Sequence, residues 1–398
     1  MRKKRQFVIT ITLMLLASAL TCLVLALTVG RQLGVFSGRL EHVYQFAALL
    51  DKIEGHFIGE YDESDISVAA MRAAVDALDD DWSYYLTPEE RTRQTQRTSN
   101  RYSGIGVGVV PDEDTGGMRV QYVYAGSSAE KAGILPGDII IGVDGTDVTG
   151  YDMDMLRDTL ARPIGSAAEI EILRDSGVTQ TLSVMYELVF DDPVSYEMLD
   201  GDIGYISLSN FNSGSADSFI SAAGNLIESG ARSFVFDVRN NYGGLLSEML
   251  EMLNYLLPEG GELFVAVGKS GEEQIFYNTG PNSIDLPAVV LADRYSYSAA
   301  EYFAAILREY DYAEIVGEQT TGKGRSQQVI ELPGGGAINI STAQYLTKNR
   351  VSLHDAGGII PDHQIILTDD EHSMFLSGRL ANEDDPQLRQ AIELLMSP

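Results

Sequence analysis

The sequence predicts a multi-domain α/β chain with an N-terminal transmembrane helix, a helical cap region, a β-rich domain, and an α/β core built on a largely parallel sheet. Three observations carry this expectation. A basic stub, Arg2 to Arg5, precedes 23 uncharged residues, Phe7 to Val29. From Gly104 the pattern turns to short β-branched runs punctuated by Gly and Asp-Gly. After Pro193, apolar strands alternate with helices, which argues for crossover units over a parallel sheet.

The first segment is long enough to span a bilayer core as a helix. Basic residues before it place the N-terminus in the cytoplasm and the rest outside, on a bacterial cell membrane. A cleaved signal peptide would carry a shorter apolar region, about 7 to 15 residues, and a small-x-small site. No such site follows Val29. Cys22 lies mid-segment behind Ala19-Leu20-Thr21, a poor setting for lipid attachment, and it is the only cysteine. The expected exported part therefore has no disulfide.

Beyond the stub, 24 Lys and Arg face 58 Asp and Glu. Nucleic acid is excluded as a partner by that balance. The acidity serves solubility and says nothing about the reaction.

Four regions follow: residues 1–34 as stub and anchor, 35–101 as a helical region, 102–187 as the β-rich domain, and 188–398 as the core with its tail. In the helical region, "SDISVAAMRAAVDAL" sets Ile66, Ala69, Ala70, Ala73, Ala74 and Leu78 at helical spacing. "TPEERTRQTQRTSN" offers Thr87 as N-cap, Pro88 at the first helical position and Glu90 as capping-box partner. In the β-rich domain, "GIGVGVV", "MRVQYVYAG" and "GDIIIGVDGTDVTG" are strands, "YDMDMLRDTLAR" is a helix, and residues 167–189 form a hairpin. In the core, "RSFVFDVR", "PAVVLAD" and "AEIVGEQ" are buried strands separated by helices. "QQVIELPGGGAINISTAQYLT" returns to strand pairing.

Two stretches of the core carry chemistry. "GEQTTGKGRSQ" matches a phosphate-binding P-loop through Gly317, Gly322 and Lys323, but Gly324 stands where that loop needs a hydroxyl for Mg²⁺. The helix whose N-terminus would face the phosphates is also missing, since Gly324 leads into extended structure. The match is a coincidence, and no nucleotide cofactor is expected. Lys323 is either a surface lysine on a turn or a desolvated amine. Burial would lower its pKa and let it accept a proton near neutral pH.

The second stretch is "VVLADRYSYSAAEYFAAIL", a strand, a short turn and a helix starting near Ser298. A serine there exposes its hydroxyl at the sheet's C-terminal edge, and N–H groups of the new helix can receive an oxyanion. Ser298 also reads as an N-cap with Glu301 as its partner, and both readings can hold. The five histidines, 42, 56, 354, 363 and 372, lie in no triad or zinc pattern. A Ser–Lys pair fits better, and no metal is implied.

These residues resemble the C-terminal processing peptidases, peptidase family S41. Ser296-Tyr297-Ser298-Ala299-Ala300-Glu301 is similar to the family's S-A-S-A-S-E. Thr320-Thr321-Gly322-Lys323-Gly324-Arg325-Ser326-Gln327 is similar to T-x-G-K-G-x-x-Q. Asp237 to Gly244, "DVRNNYGG", resembles D-L-R-x-N-x-G-G, and Gly357 to Asp362 resembles G-I-x-P-D. "YSGIGVGVV" and "AGSSAEKAGILPGDIIIGVDGTDVTG" resemble a PDZ domain of the bacterial protease type.

The resemblance implies an α/β serine endopeptidase core with a PDZ domain. It implies Ser298 as nucleophile, Lys323 as base and Gln327 orienting the lysine. Gly243 or Gly244 with Ala299 would form the oxyanion hole. Gly104, Ile105, Gly106 and Val107 would hold substrate C-termini, since PDZ domains add a peptide as an extra strand. It further implies protein substrates, dimerisation through residues 35–100 and gating by the PDZ domain or a regulatory partner. The alternative is a catalytically inactive scaffold that binds tails without cutting them. Tyr297, Ala300, Tyr242 and Asp293-Arg294-Tyr295 depart from the family pattern and bear on the shape of the cleft beside Ser298.

Overall fold

The computed structural model describes residue 14, residues 18–22 and 24–25, and residues 39–397 apart from 113, 125, 161, 175 and 282–283. These fall into two compact units, one up to Ala70 and one from Met71 on. Helix α1 (Arg39–His56) lies in the first, and α2 (Glu63–Asp76) begins there and ends in the second. Glu63 and Asp65 in its first turn complement the helix dipole.

Strand β1 (Tyr84–Leu86) precedes α3 (Pro88–Thr98), which has the capping box its spacing predicts. Thr87 Oγ1 accepts from the Glu90 N–H at 3.2 Å, and Glu90 accepts from the Thr87 N–H at 2.9 Å.

The β-rich domain then runs through β2 (Arg101–Gly104), β3 (Val107–Pro111), β4 (Met118–Val123), α4 (Ser128–Ala132), β5 (Ile139–Val143) and β6 (Thr146–Asp147). It continues with α5 (Met153–Leu160), β7 (Ala167–Leu173), β8 (Thr179–Met185) and β9 (Glu187–Phe190). Strands β3-β4-β5-β7-β8 form an antiparallel sheet with β6 against β5. Alternate residues of β7, Ala168, Ile170 and Ile172, join Met118, Ile140 and Leu156 in its core. The ends of the domain are tied together where β2 pairs with β9.

The core comprises β10 (Val194–Leu199), β11 (Ile203–Leu208), α6 (Ser215–Glu228), β12 (Ser233–Asp237), α7 (Leu246–Leu256), β13 (Glu262–Gly268), β14 (Glu273–Tyr277), β15 (Ala288–Ala292), α8 (Ala299–Glu309) and β16 (Ala313–Gly317). It ends with β17 (Arg325–Glu331), β18 (Ala337–Thr347), α9 (Leu353–Ala356), β19 (His363–Gln364), α10 (Asp369–Leu376) and α11 (Pro386–Met396). Its main sheet has the order β10-β11-β12-β15-β16-β19. Phe234 and Phe236 of β12 face α6 and α8, whereas Val235 faces Leu388 and Ala391 of α11. Burial on both faces explains why this strand reads as a continuous apolar run.

Two expectations need correction. Among the strands of the described residues, parallel pairing is confined to β11, β12, β15, β16 and β19. Taken over the chain the sheets are largely antiparallel, because the β-rich domain and a second core sheet of β1, β18, β13, β14 and β17 are antiparallel throughout. The transmembrane anchor, and with it the single-pass placement at the cell membrane, also finds no support among the described residues. Among the described residues no helix is long and apolar enough to cross a membrane, which takes about 20 consecutive apolar residues. The expected span, 7–29, lies for the most part outside the described residues.

Candidate active site

Strand β15 ends at Ala292, and the chain turns through residues 293–297 into α8. Ser298, at the helix N-cap, has φ +59° and ψ −122°. A non-glycine residue in such a conformation costs on the order of 1–3 kcal/mol and persists only where its surroundings enforce it. Here they do. The Tyr297 N–H donates to Asn241 O at 3.1 Å, and the Ser298 N–H donates to Glu301 Oε2 at 3.0 Å.

The turn after β12, residues 238–244, is stitched to this one. Ser296 Oγ donates to Val238 O at 2.7 Å, and Asp293 Oδ1 accepts from the Asn240 N–H at 2.9 Å. Asn241 is fully buried; its side chain donates to Leu208 O at 2.7 Å and accepts from the Gly243 N–H at 2.8 Å. Gly243 has φ +78°, and a Cβ there would lie 2.7 Å from Tyr297 O, 2.9 Å from the Ala299 nitrogen and 2.9 Å from Ser298 Cβ. Only glycine lets the two turns meet. The Gly243 N–H is thus engaged by Asn241, whereas the N–H groups of Gly244 and Ala299 have no acceptor within the described residues.

Behind this turn the main chain at β12 is anchored by fully buried ions. Arg239 bonds Asp237 at 2.6 Å and Asp385 at 2.7 Å, and its guanidinium lies 4.3 Å from the centre of the Phe375 ring. Burial opposes its charge, but the Asp237 and Asp385 carboxylates hold its pKa above the ordinary value.

Glu301 joins the serine segment to the lysine segment. Its carboxylate is completely buried. Oε2 accepts from the N–H groups of Ser298 at 3.0 Å and Lys323 at 2.8 Å. Oε1 accepts from the Gly322 N–H at 2.7 Å and from Thr320 Oγ1. Burial raises its pKa, while the Thr320 and backbone donors pull the other way. One oxygen therefore holds the backbones of the expected nucleophile and base.

The Lys323 side chain is held differently. Its Nζ sits 4.5 Å from the centre of the Trp82 ring and 5.3 Å from that of Tyr297. Burial lowers its pKa below the ordinary lysine value; the charges of Glu301 and Asp80 oppose the shift without cancelling it. Of the two readings of this residue, the desolvated amine is the one that fits. No hydrogen bond joins Ser298 Oγ to Lys323 Nζ among the described residues. Gln327 is not on the lysine either. Its Nε2 donates to Arg325 O at 2.8 Å and to Ser341 Oγ at 3.3 Å, beside a register shift in the β17–β18 pairing.

Sequence reasoning missed Trp82, Asp80 and the full part played by Glu301. Trp82 belongs to a segment with no periodic or motif signal and reaches Lys323 only through the fold. Glu301 was legible as a capping partner, but the Lys323 half of its role needed the tertiary structure.

In the β-rich domain, Gly106 has φ +84°, and a Cβ there would come within 2.3 Å of Ser127 Cβ. The Ile105 carbonyl accepts from the Ala129 N–H at 2.9 Å, and that of Gly106 from the Tyr124 N–H at 3.0 Å. Gly104 and Val107 flank this turn as the last residue of β2 and the first of β3.

Comparison with known proteins adds independent findings. The profile of peptidase family S41 matches residues 202–365, and that of the PDZ domain matches residues 119–174. A carboxyl-terminal-processing protease of Synechocystis is 30% identical over 82% of this chain and 76% of its own length. The carboxy-terminal processing protease CtpA of Bacillus subtilis is 28% identical over 77% of this chain. The chain spans 66% of that relative and 60% of a chloroplastic carboxyl-terminal-processing peptidase of Arabidopsis. A solved S41 protease from Bacteroides fragilis shares the fold, with a TM-score of 0.56, 20% identity, and coverage of 85% of this chain and 92% of its own.

Proposed function

Because the chain belongs to peptidase family S41, the carboxyl-terminal processing proteases, we propose that it is a serine endopeptidase working through a Ser298–Lys323 pair on protein substrates. Ser298 Oγ attacks the scissile carbonyl carbon, and its proton passes to the neutral Lys323 amine. The tetrahedral oxyanion is received by the N–H groups of Ala299 and Gly244. Lys323 then returns the proton to the leaving amine, and water releases the acyl group from Ser298 by the same route.

The observation that carries this reading is the single Glu301 oxygen that accepts from both backbones, so that nucleophile and base share one fixed point. Gly243 serves by lacking a side chain rather than as an oxyanion donor, since its N–H is held by Asn241. Each oxyanion donor is worth about 10²–10³ in rate. Gln327 is left out of the proton path because its amide is committed to Arg325 and Ser341.

The PDZ domain captures substrate C-termini at residues 104–107. In a trans peptide the N–H points opposite to the preceding carbonyl. The Ile105 carbonyl is turned inward to Ala129, so the Gly106 N–H faces outward, where a terminal carboxylate would lie. Strand β3, an edge of its sheet, offers the ladder for an added peptide strand.

The test incubates the full chain, wild type beside Ser298→Ala and Lys323→Ala, with an unfolded protein ending in a free apolar C-terminus. Mass spectrometry should find new cleavage products with the wild type alone. Equal cleavage by either variant would remove that residue from the mechanism.

A further inference from the structure

The aromatic surroundings of Lys323 carry a consequence beyond the dyad itself. The Trp82 and Tyr297 rings lie 5.5 Å apart at 42°, and the amine lies over both. Tyr242 stacks behind Tyr297 at 5.2 Å and 20°. No carboxylate forms an ion pair with Nζ among the described residues. Glu301 gives both oxygens to backbone N–H groups and Thr320. Asp80 is engaged by Arg325 at 2.9 Å and by Ser83. The ring faces therefore add to the counter-charge that Glu301 and Asp80 supply without an ion pair.

The main chain that carries the indole is also anchored. Its own carbonyl accepts from Asn339 Nδ2 at 2.9 Å, the neighbouring Ser83 Oγ accepts from the Ser341 N–H at 3.1 Å, and β1 pairs with β18. Arg325, which binds Asp80, lies two residues beyond Lys323. The segment 80–86 is thus clamped to the strands that follow the lysine, although it lies well outside residues 202–365.

We propose that Trp82 is a positioning residue that sets the proton affinity of Lys323, its π face stabilising the ammonium while its bulk keeps water from the amine. These two actions have opposite sign. A ring face favours the charged form, whereas exclusion of water favours the neutral form that catalysis requires. The charged and titratable groups around the amine are Glu301 from α8, Asp80 with Arg325 from the clamp, and Tyr297 and Tyr242 from the two turns. The inference rests on Lys323 as the base.

Trp82 is the only tryptophan in the chain, so tryptophan emission comes from this residue alone. The full chain is titrated by fluorescence from about pH 6 to about pH 8.5, below the ordinary range of tyrosine ionisation. Wild-type emission should change with one midpoint that coincides with the acid limb of kcat/KM, and Lys323→Met should be flat over the same range. A flat wild type, or the same titration in Lys323→Met, would overturn the proposal.

The second measurement is the pH profile of kcat/KM in three variants. Trp82→Leu keeps apolar bulk without a π face and should move the acid limb down by about half to one pH unit. Trp82→Phe should leave it near the wild type, and Trp82→Ala, which admits water, should move it up. An upward move in Trp82→Leu would mean the indole only excludes water, and the proposal falls. The two readings fail separately. Cleavage retained by Lys323→Met would remove the base while the emission titration still reports the contact. Cleavage lost without an emission titration would leave the base in place and sink Trp82.

Discussion

Ser298 and Lys323 share an oxygen of Glu301 through their backbones, yet the two ends of the site are held by different forces. The serine end is a lattice of buried directional bonds: two stitched turns, a glycine contact, and the Asp237–Arg239–Asp385 ions behind them. The lysine end is a desolvated amine resting on the ring faces of Trp82, from a distant segment, and of Tyr297, from the serine turn. Directional bonds fix where the nucleophile is. The soft contacts around the amine leave its position looser but make its proton affinity adjustable. A site built this way separates placement from tuning.

The comparison can be broken first at the lysine. Lys323→Met should lose about 10²–10⁴ in kcat/KM, the usual worth of a general base. Its stability should move the other way. A lysine whose folded pKa lies below the unfolded value penalises folding while the unfolded chain holds the extra proton. That penalty fades as pH rises from the folded pKa towards the unfolded one. Thermal melts should therefore show Lys323→Met above wild type at neutral pH, with the gap closing as pH rises. A gap that widens with pH would contradict the desolvated amine.

The serine end should break through the fold. Arg239→Met leaves Asp237 and Asp385 buried without their cation and should cost about 3–5 kcal/mol in urea unfolding. A loss within experimental error would show that the ions anchor nothing. Glu301→Gln should be milder, about 1–3 kcal/mol. One amide oxygen can still accept, but the NH₂ group meets N–H donors where an oxygen stood. Its kcat should fall with KM little changed, because the damage is to the shared point between the two turns. A change in KM alone would place the effect in substrate binding instead.

The smallest expected effect lies in the β-rich domain. Amidating the substrate's C-terminus should raise KM by about tenfold and leave kcat unchanged, as loss of hydrogen bonds to a charged group predicts. Equal KM for acid and amide would remove residues 104–107 from recognition.

Much of the site was legible before folding because its cues are local. Ser298 was marked by a strand, a turn and a helix start, and Lys323 by glycines after a strand. Gly243 and Gly106 were marked by the motifs they resemble, and the structure gives both a positive φ. The buried strand Ser233–Asp237 announced itself as an unbroken apolar run. What was illegible depends on contacts across long stretches of chain. Gln327 follows the motif spacing, yet a register shift in β17 turns its amide to Ser341. Gly243 or Gly244 was expected to donate to an oxyanion, and only the fold shows that Asn241 takes the Gly243 N–H. The balance of antiparallel over parallel pairing was hidden because a strand's pattern records its burial, not the direction of its neighbour.

By itself, the sequence determined the chemical groups, the order of strands and helices, and the turns where the backbone must bend. These follow from side-chain chemistry and from sterics between residues close in the chain. Only the tertiary structure decided that Glu301 would bind both backbones and that the lone tryptophan would cover the lysine. Such contacts join residues as far apart as Trp82 and Lys323. They exist because two segments distant in the chain are clamped together, a condition that no local stretch of sequence encodes.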